Sequence, residues 1–122
     1  EKFEINILGC GAALPTPRRL SSSQVINIRE KLFMLDCAEG TQMALRRSRL
    51  SFSHLQAIFL THLHGDHVFG LMGLLSTLGL LGRNQTIHVY GPQELQRIFQ
   101  PQINHFCADS PFEIQLHEID TK

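Results

Sequence analysis

A chain that opens with strand-like segments and then interleaves strands with helices is expected to fold as an α/β protein, a mixed sheet covered by helices. Three observations in the 122-residue sequence carry that expectation. The segments "FEINILG", "QVINIR" and "KLFMLD" show partial alternation and hold β-branched or aromatic residues, as strands do. "LQAIFLTH" is a near-continuous apolar run, the pattern of a strand buried on both faces. Beyond it, Leu71, Leu74, Leu75, Leu78 and Leu81 recur at helical spacing.

The remaining elements follow in order. "GCGAALPTP" is a glycine-flanked loop stiffened by Pro15 and Pro17, and the triplet Arg29, Glu30, Lys31 joins two strands as a hairpin. In "EGTQMALRRSRL", good helix formers follow Thr41, which is expected as the N-cap. The leucine-spaced helix over 68–82 ends at Gly82, a residue suited to a C-terminal cap. Its interior glycines Gly70, Gly73 and Gly79 each weaken it by roughly 1 kcal/mol relative to alanine. Close packing against another backbone, or against a partner subunit, is the expected reason. "TIHVYGP" is a strand stopped at Gly91 and Pro92, "QELQRIFQPQI" a short helix broken at Pro101, and "FEIQLHEID" a final strand. No internal repeat, low-complexity segment or linker divides the chain, which is one domain's worth of sequence. It stops just after a strand, and this reads as a cut inside a larger fold.

Composition excludes little but is informative at the edges. The chain is 43% apolar with zero formal net charge, so no polyelectrolyte partner follows from the total. Residues 1–50 carry a surplus of three positive charges and residues 51–122 a surplus of three negative ones. Arg18 with Arg19, and Arg46, Arg47 and Arg49, are the basic clusters; they suit a phosphate backbone or a solvated helix face equally. Three cysteines (Cys10, Cys37 and Cys107) without a close pair argue against a disulfide framework or a zinc knuckle. No apolar stretch is long enough to span a bilayer, and a cytoplasmic, reduced setting is expected.

The chemistry concentrates in "THLHGDH", residues 61–67. His62 and His64 are two apart at a strand's end, where side chains two residues apart share a side. Gly65 permits a sharp turn, and Asp66 and His67 arrive on the loop that opens the next helix. Imidazole and carboxylate donors suit zinc, with manganese or iron as alternatives. Two ions roughly 3.5–4 Å apart would each take one pair and hold a hydroxide between them. Ordinary surface histidines with a capping aspartate are the rival reading, which four ligand-type residues around one glycine disfavour.

"HLHGDH" resembles the signature of the metallo-β-lactamase superfamily, an αβ/βα sandwich with a dinuclear site at one edge. Together with "LGCGAALPTPRR", "DCAEGTQ", "HGDHVFGLMGLL" and "VYGP", it resembles ribonuclease Z over essentially all 122 residues. That resemblance implies a metal-dependent endoribonuclease that trims the 3′ end of precursor tRNA, commonly as a homodimer, in the cytoplasm and without a membrane. It implies that His62 and His64 bind one zinc and that Asp66 and His67 bind the other. Asp66 would also accept a proton from the attacking water, and Asp36 would orient ligands by hydrogen bonding. Ala38 stands where the family usually has glycine, which questions the backbone freedom of that turn. His54, His88, His105 and His117 fall on no ligand position of the pattern. The remaining ligands of such a site are expected in a carboxyl-terminal half absent from this chain, making residues 1–122 an amino-terminal portion of one domain. The alternatives are another phosphodiesterase or ester hydrolase of the same fold, and a non-catalytic metal-binding or dimerisation module.

Overall fold

The computed structural model describes the backbone of residues 3–9 and 23–119, and the side chains of residues 23–119 other than Asp66. The loop expected after the first strand, Cys10, and the Arg18–Arg19 pair lie outside the described residues. The elements run β1 (Phe3–Gly9), β2 (Ser23–Ile28), β3 (Lys31–Leu35), α1 (Thr41–Arg47), a 3-10 turn (Phe52–His54), β4 (Leu55–Phe59), α2 (Gly65–Val68), α3 (Leu71–Leu80), β5 (Ile87–Gly91), α4 (Leu95–Phe106) and β6 (Ile114–Glu118). All the strands join one mixed sheet in the order β1-β2-β3-β4-β5-β6. The first two pairings are antiparallel, and the pairings from β3 to β6 are parallel. This is the α/β sheet covered by helices that the sequence predicts.

Local chemistry explains the connections. Arg29 (φ 51°) and Glu30 (φ 66°) both adopt left-handed backbone, the pattern of a two-residue hairpin turn whose twist matches its strands. The Glu30 amide donates to Asn27 Oδ1 at 2.9 Å, which helps to hold that turn. Parallel neighbours instead need crossovers: α1 lies between β3 and β4, α2 and α3 lie between β4 and β5, and α4 lies between β5 and β6.

The core forms on one face of the sheet. Val25, Leu32, Met34, Ile58, Val89 and Leu116 from the strands bury against Leu45, Leu71, Leu74, Leu75, Leu78, Leu95 and Phe99 from the helices. The alternate residues Ile26, Phe33, Leu35 and Phe59 are only partly buried; with Ile28 they border a shallow cavity of about 300 Å³. Helices therefore cover one face, while the other presents apolar side chains.

Three expectations differ from the structure in detail. The N-cap of α1 is Gly40, in left-handed backbone (φ 85°), so Thr41 becomes the first helical residue; its hydroxyl donates to the Ala38 carbonyl at 2.7 Å. The helix expected over 68–82 begins only at Leu71, as α3, and a separate short α2 over Gly65–Val68 precedes it. Gly70 lies at the break, where its amide donates to the Cys37 carbonyl at 2.8 Å. A Cβ at Gly70 would sit 2.0 Å from the Ala38 carbonyl oxygen. The close backbone approach anticipated for these glycines is thus made against residues 37–38. Finally, α4 continues through Pro101. Leu95, Phe99 and Ile103, spaced four apart on either side of it, bury together, and that shared apolar face opposes a loss of about 3 kcal/mol for an interior proline.

Gly70→Ala is expected to destabilise the fold by about 2–3 kcal/mol, because backbone at Ala38 cannot yield as a side chain would. Gly73→Ala should cost less, since its Cβ would meet only the Gln42 side chain, at 3.1 Å. Urea denaturation midpoints of the two variants check the ordering.

Candidate metal centre

Strand β4 ends at Phe59, three residues short of His62, so His62 and His64 sit on the loop beyond the strand rather than within it. Their proximity is therefore a property of the loop. The His62 and His64 rings are nearly parallel (15°) with centroids 6.1 Å apart. His62 meets the His67 ring edge-on at 5.0 Å. His64 carries extended backbone (φ −76°, ψ 154°) as the N-cap of α2, and its carbonyl accepts from the His67 amide at 2.9 Å. Three imidazoles thus gather at the carboxyl end of a central parallel strand, the edge where α/β sheets place their ligands. Asp66 lies in α2 beside them, and its side chain is outside the described residues. Among the described residues, no three His, Cys, Asp or Glu side chains come together closely enough to hold an ion by themselves.

Asp36 ties this loop to the sheet. It follows β3 in left-handed backbone (φ 61°), with its amide donating to the Phe59 carbonyl at 2.7 Å. The buried carboxylate accepts from the Thr61 amide at 2.8 Å and from the Thr61 hydroxyl at 2.9 Å. His67 Nδ1 lies 2.9 Å from Asp36 Oδ2. With Nδ1 beside a carboxylate, Nε2 is the ring nitrogen left to meet a ligand, the arrangement by which carboxylate partners orient metal-binding imidazoles. Imidazole donors of this kind suit a divalent cation once further ligands complete the coordination. Sequence reasoning named Asp36 only through resemblance and missed Thr61; the signal for Thr61 was its place immediately before the first histidine.

The segment after Asp36 is buried and tied down by backbone hydrogen bonds. Cys37 donates its amide to the His67 carbonyl at 2.8 Å, which locks the same helix from its backbone side. Burial pushes the Cys37 thiol up to about 12, opposed by a hydrogen bond with Thr41 and assisted by the charge of Asp36. Thr41 is itself buried in the first turn of α1. Ala38 has no positive φ; Asp36 and Gly40 take the left-handed positions of this turn. The departure from glycine therefore leaves the turn intact. Elsewhere, His88 Nδ1 and His117 Nε2 hydrogen-bond at 3.0 Å on the partly covered sheet face, away from the cluster on the 62–67 loop.

The sheet order, the helix-covered face and the histidine turn at a strand's carboxyl edge define a protein of the metallo-β-lactamase fold. A metallo-β-lactamase fold protein from Bacillus subtilis superposes with a TM-score of 0.70 at 20% identity, over 93% of this chain and 45% of that one. The chain belongs to the family described as Anti-Pycsar protein Apyc1, whose model matches residues 3–109. Its resemblance to ribonuclease Z extends over the whole length: the enzyme of that name from Bacteroides thetaiotaomicron is 57% identical over 122 residues, all of this chain and 39% of the relative. Human tRNase Z, short form, superposes with a TM-score of 0.87 at 36% identity, over 97% of this chain and 46% of that one. The chain thus spans about two fifths of the length of the curated relatives it matches.

Two expectations follow from the geometry. Asp36→Ala should weaken metal binding by about 10–100-fold, since it releases the His67 ring; titration calorimetry on the protein that carries this chain measures it. Because the folded Cys37 thiol ionises at about 12 rather than the ordinary 9.0, its stabilising effect is full below pH 9 and is lost as the pH climbs towards 12. Urea unfolding across that window should show a smaller loss of stability in Cys37→Ala than in the parent.

Proposed function

We propose that this chain is the amino-terminal portion of a metal-dependent endoribonuclease that hydrolyses a phosphodiester at the 3′ end of precursor tRNA. The observation that carries the reading is the His62, His64 and His67 turn, braced by Asp36, in a chain 57% identical to a ribonuclease Z. His62 and His64 would hold one divalent ion, and Asp66 and His67 a second. Zinc suits the nitrogen donors best, with manganese or iron as alternatives. Such ions supply Lewis-acid polarisation and a more acidic water. Asp66, on the first turn of α2, is the proton acceptor in this scheme. His67 is kept in one tautomer by Asp36, and Thr61 keeps the Asp36 carboxylate aimed.

A catalytic zinc takes three protein ligands and leaves a fourth position open, whereas this turn offers two donors per ion. The remaining ligands belong to a further portion of the same domain, packed against the apolar sheet face that Ile26, Ile28, Phe33, Leu35 and Phe59 present. Precursor tRNA is the partner in this reading, with phosphate contacts that weaken as salt rises. Self-association as a homodimer is part of this reading, and exposed apolar side chains such as Phe69, Leu80 and Phe106, 74%, 88% and 65% exposed, are the kind it would cover. No helix among the described residues is long and apolar enough to cross a membrane.

A second reading keeps the fold and metal site and changes the substrate to another phosphodiester or ester; the family model that matches, described by an anti-Pycsar protein, does not carry the ribonuclease name. Cleavage of precursor tRNA by the complete protein separates the two. The first reading expects an endonucleolytic cut at the 3′ end, and His64→Ala should reduce both bound metal and rate, the rate by about 100-fold or more. Turnover of small phosphodiesters without any tRNA cut would favour the second, and unchanged metal content in His64→Ala would contradict the ligand assignment.

A further inference from the structure

Across the loop from the histidines, the chain does something its local sequence does not require. Glu94, the N-cap of α4, takes left-handed backbone (φ 83°, ψ −6°) that a side chain disfavours. It makes no side-chain capping bond. That duty falls to Glu118 at the end of β6, whose carboxylate accepts from the Gln96 amide at 3.0 Å. The Glu94 carboxylate instead pairs with Arg97 Nε, one turn along the helix. Both side chains are largely in solvent, 55% and 73% exposed, where such a pair adds little to stability. Strain in the backbone and a pair of small stabilising value point to a role at the surface rather than in the fold.

Their position gives that role. The parallel pairing of β4 with β5 brings the start of α4 beside the histidine loop. His62, His64, Pro92, Glu94, Arg97 and Ile98 line one open groove of about 320 Å³. A guanidinium on the wall of a groove that also holds two metal-ligating histidines is set to meet an anionic strand, and its planar fork matches phosphate oxygens. We propose that Arg97 receives a phosphate of the RNA strand flanking the scissile bond, and that Glu94 is the anion this phosphate displaces. The assignment rests on the ribonuclease reading. In the absence of RNA, Glu94 neutralises and orients the guanidinium; bound RNA takes its place.

The pair makes opposite predictions for its two members, which a merely structural ion pair would not. Binding of precursor tRNA to the complete protein, measured by fluorescence anisotropy in EDTA over a salt series, reads the contact without catalysis. Arg97→Ala should weaken binding by about tenfold and reduce the salt slope by about one. Glu94→Gln, which frees the guanidinium, should tighten binding by about two- to threefold, and Arg97→Lys should keep the slope while losing part of the affinity. In the metal-loaded protein, the Arg97→Ala loss should fall on KM rather than on kcat. Thermal midpoints matched to the parent show that these exposed positions leave the fold intact. Parental affinity and slope in Arg97→Ala, or weaker binding in Glu94→Gln, would overturn the assignment while leaving the nuclease reading in place. A parent protein that neither binds nor cuts precursor tRNA would remove both.

Discussion

One buried carboxylate organises the site. Asp36 leaves β3 in left-handed backbone and accepts hydrogen bonds from the Thr61 amide and hydroxyl, with His67 Nδ1 at 2.9 Å. A buried anion is costly unless its oxygens are satisfied, so these contacts are mutually required. They come from the ends of β3 and β4 and from α2, three segments that would otherwise be independent. The tie therefore positions the histidine loop and chooses the nitrogen that His67 presents. Cys37 reinforces it from the backbone, donating to His67 and accepting from Gly70.

The interplay of this tie with packing explains what the sequence disclosed. The strands and the leucine-spaced helix were legible because burial imposes periods of two and 3.6 on the chain. The histidine turn was legible because its residues are contiguous: "HLHGDH" needs no distant partner to be noticed. The break at Gly70 was not, since it depends on where the Cys37 and Ala38 carbonyls lie, more than thirty residues away. Continuation of α4 through Pro101 was likewise hidden, because Leu95, Phe99 and Ile103 reveal their shared face only once the core is assembled. Periodicity also carried β4 too far: the sequence pattern runs to His62, but the strand ends at Phe59. Glu94 and Arg97 lie about thirty residues from the histidines they face, and only the parallel alignment of β4 and β5 brings them there.

The two faces of the sheet tell complementary stories. One is sealed by helices around a single core, and the other carries Ile26, Phe33, Leu35 and Phe59 with the stacked rings of Tyr90 and His117. A chain that spans about two fifths of its curated relatives and leaves an apolar sheet face available accords with the proposal that further residues of the same domain complete both core and metal site. The two comparisons also differ in emphasis: the family model is described by an anti-Pycsar protein, whereas the curated relatives are called ribonuclease Z. A fold shared by unrelated activities does not choose a substrate; the side chains of the site do.

Anomalous diffraction from crystals of the complete, metal-loaded protein tests the central claim most directly. The account predicts cations about 2.0–2.1 Å from nitrogens of His62, His64 and His67, with the His67 bond made through Nε2 and Nδ1 still held by Asp36. Cations bound elsewhere, or a His67 ring coordinating through Nδ1 with Asp36 released, would contradict it.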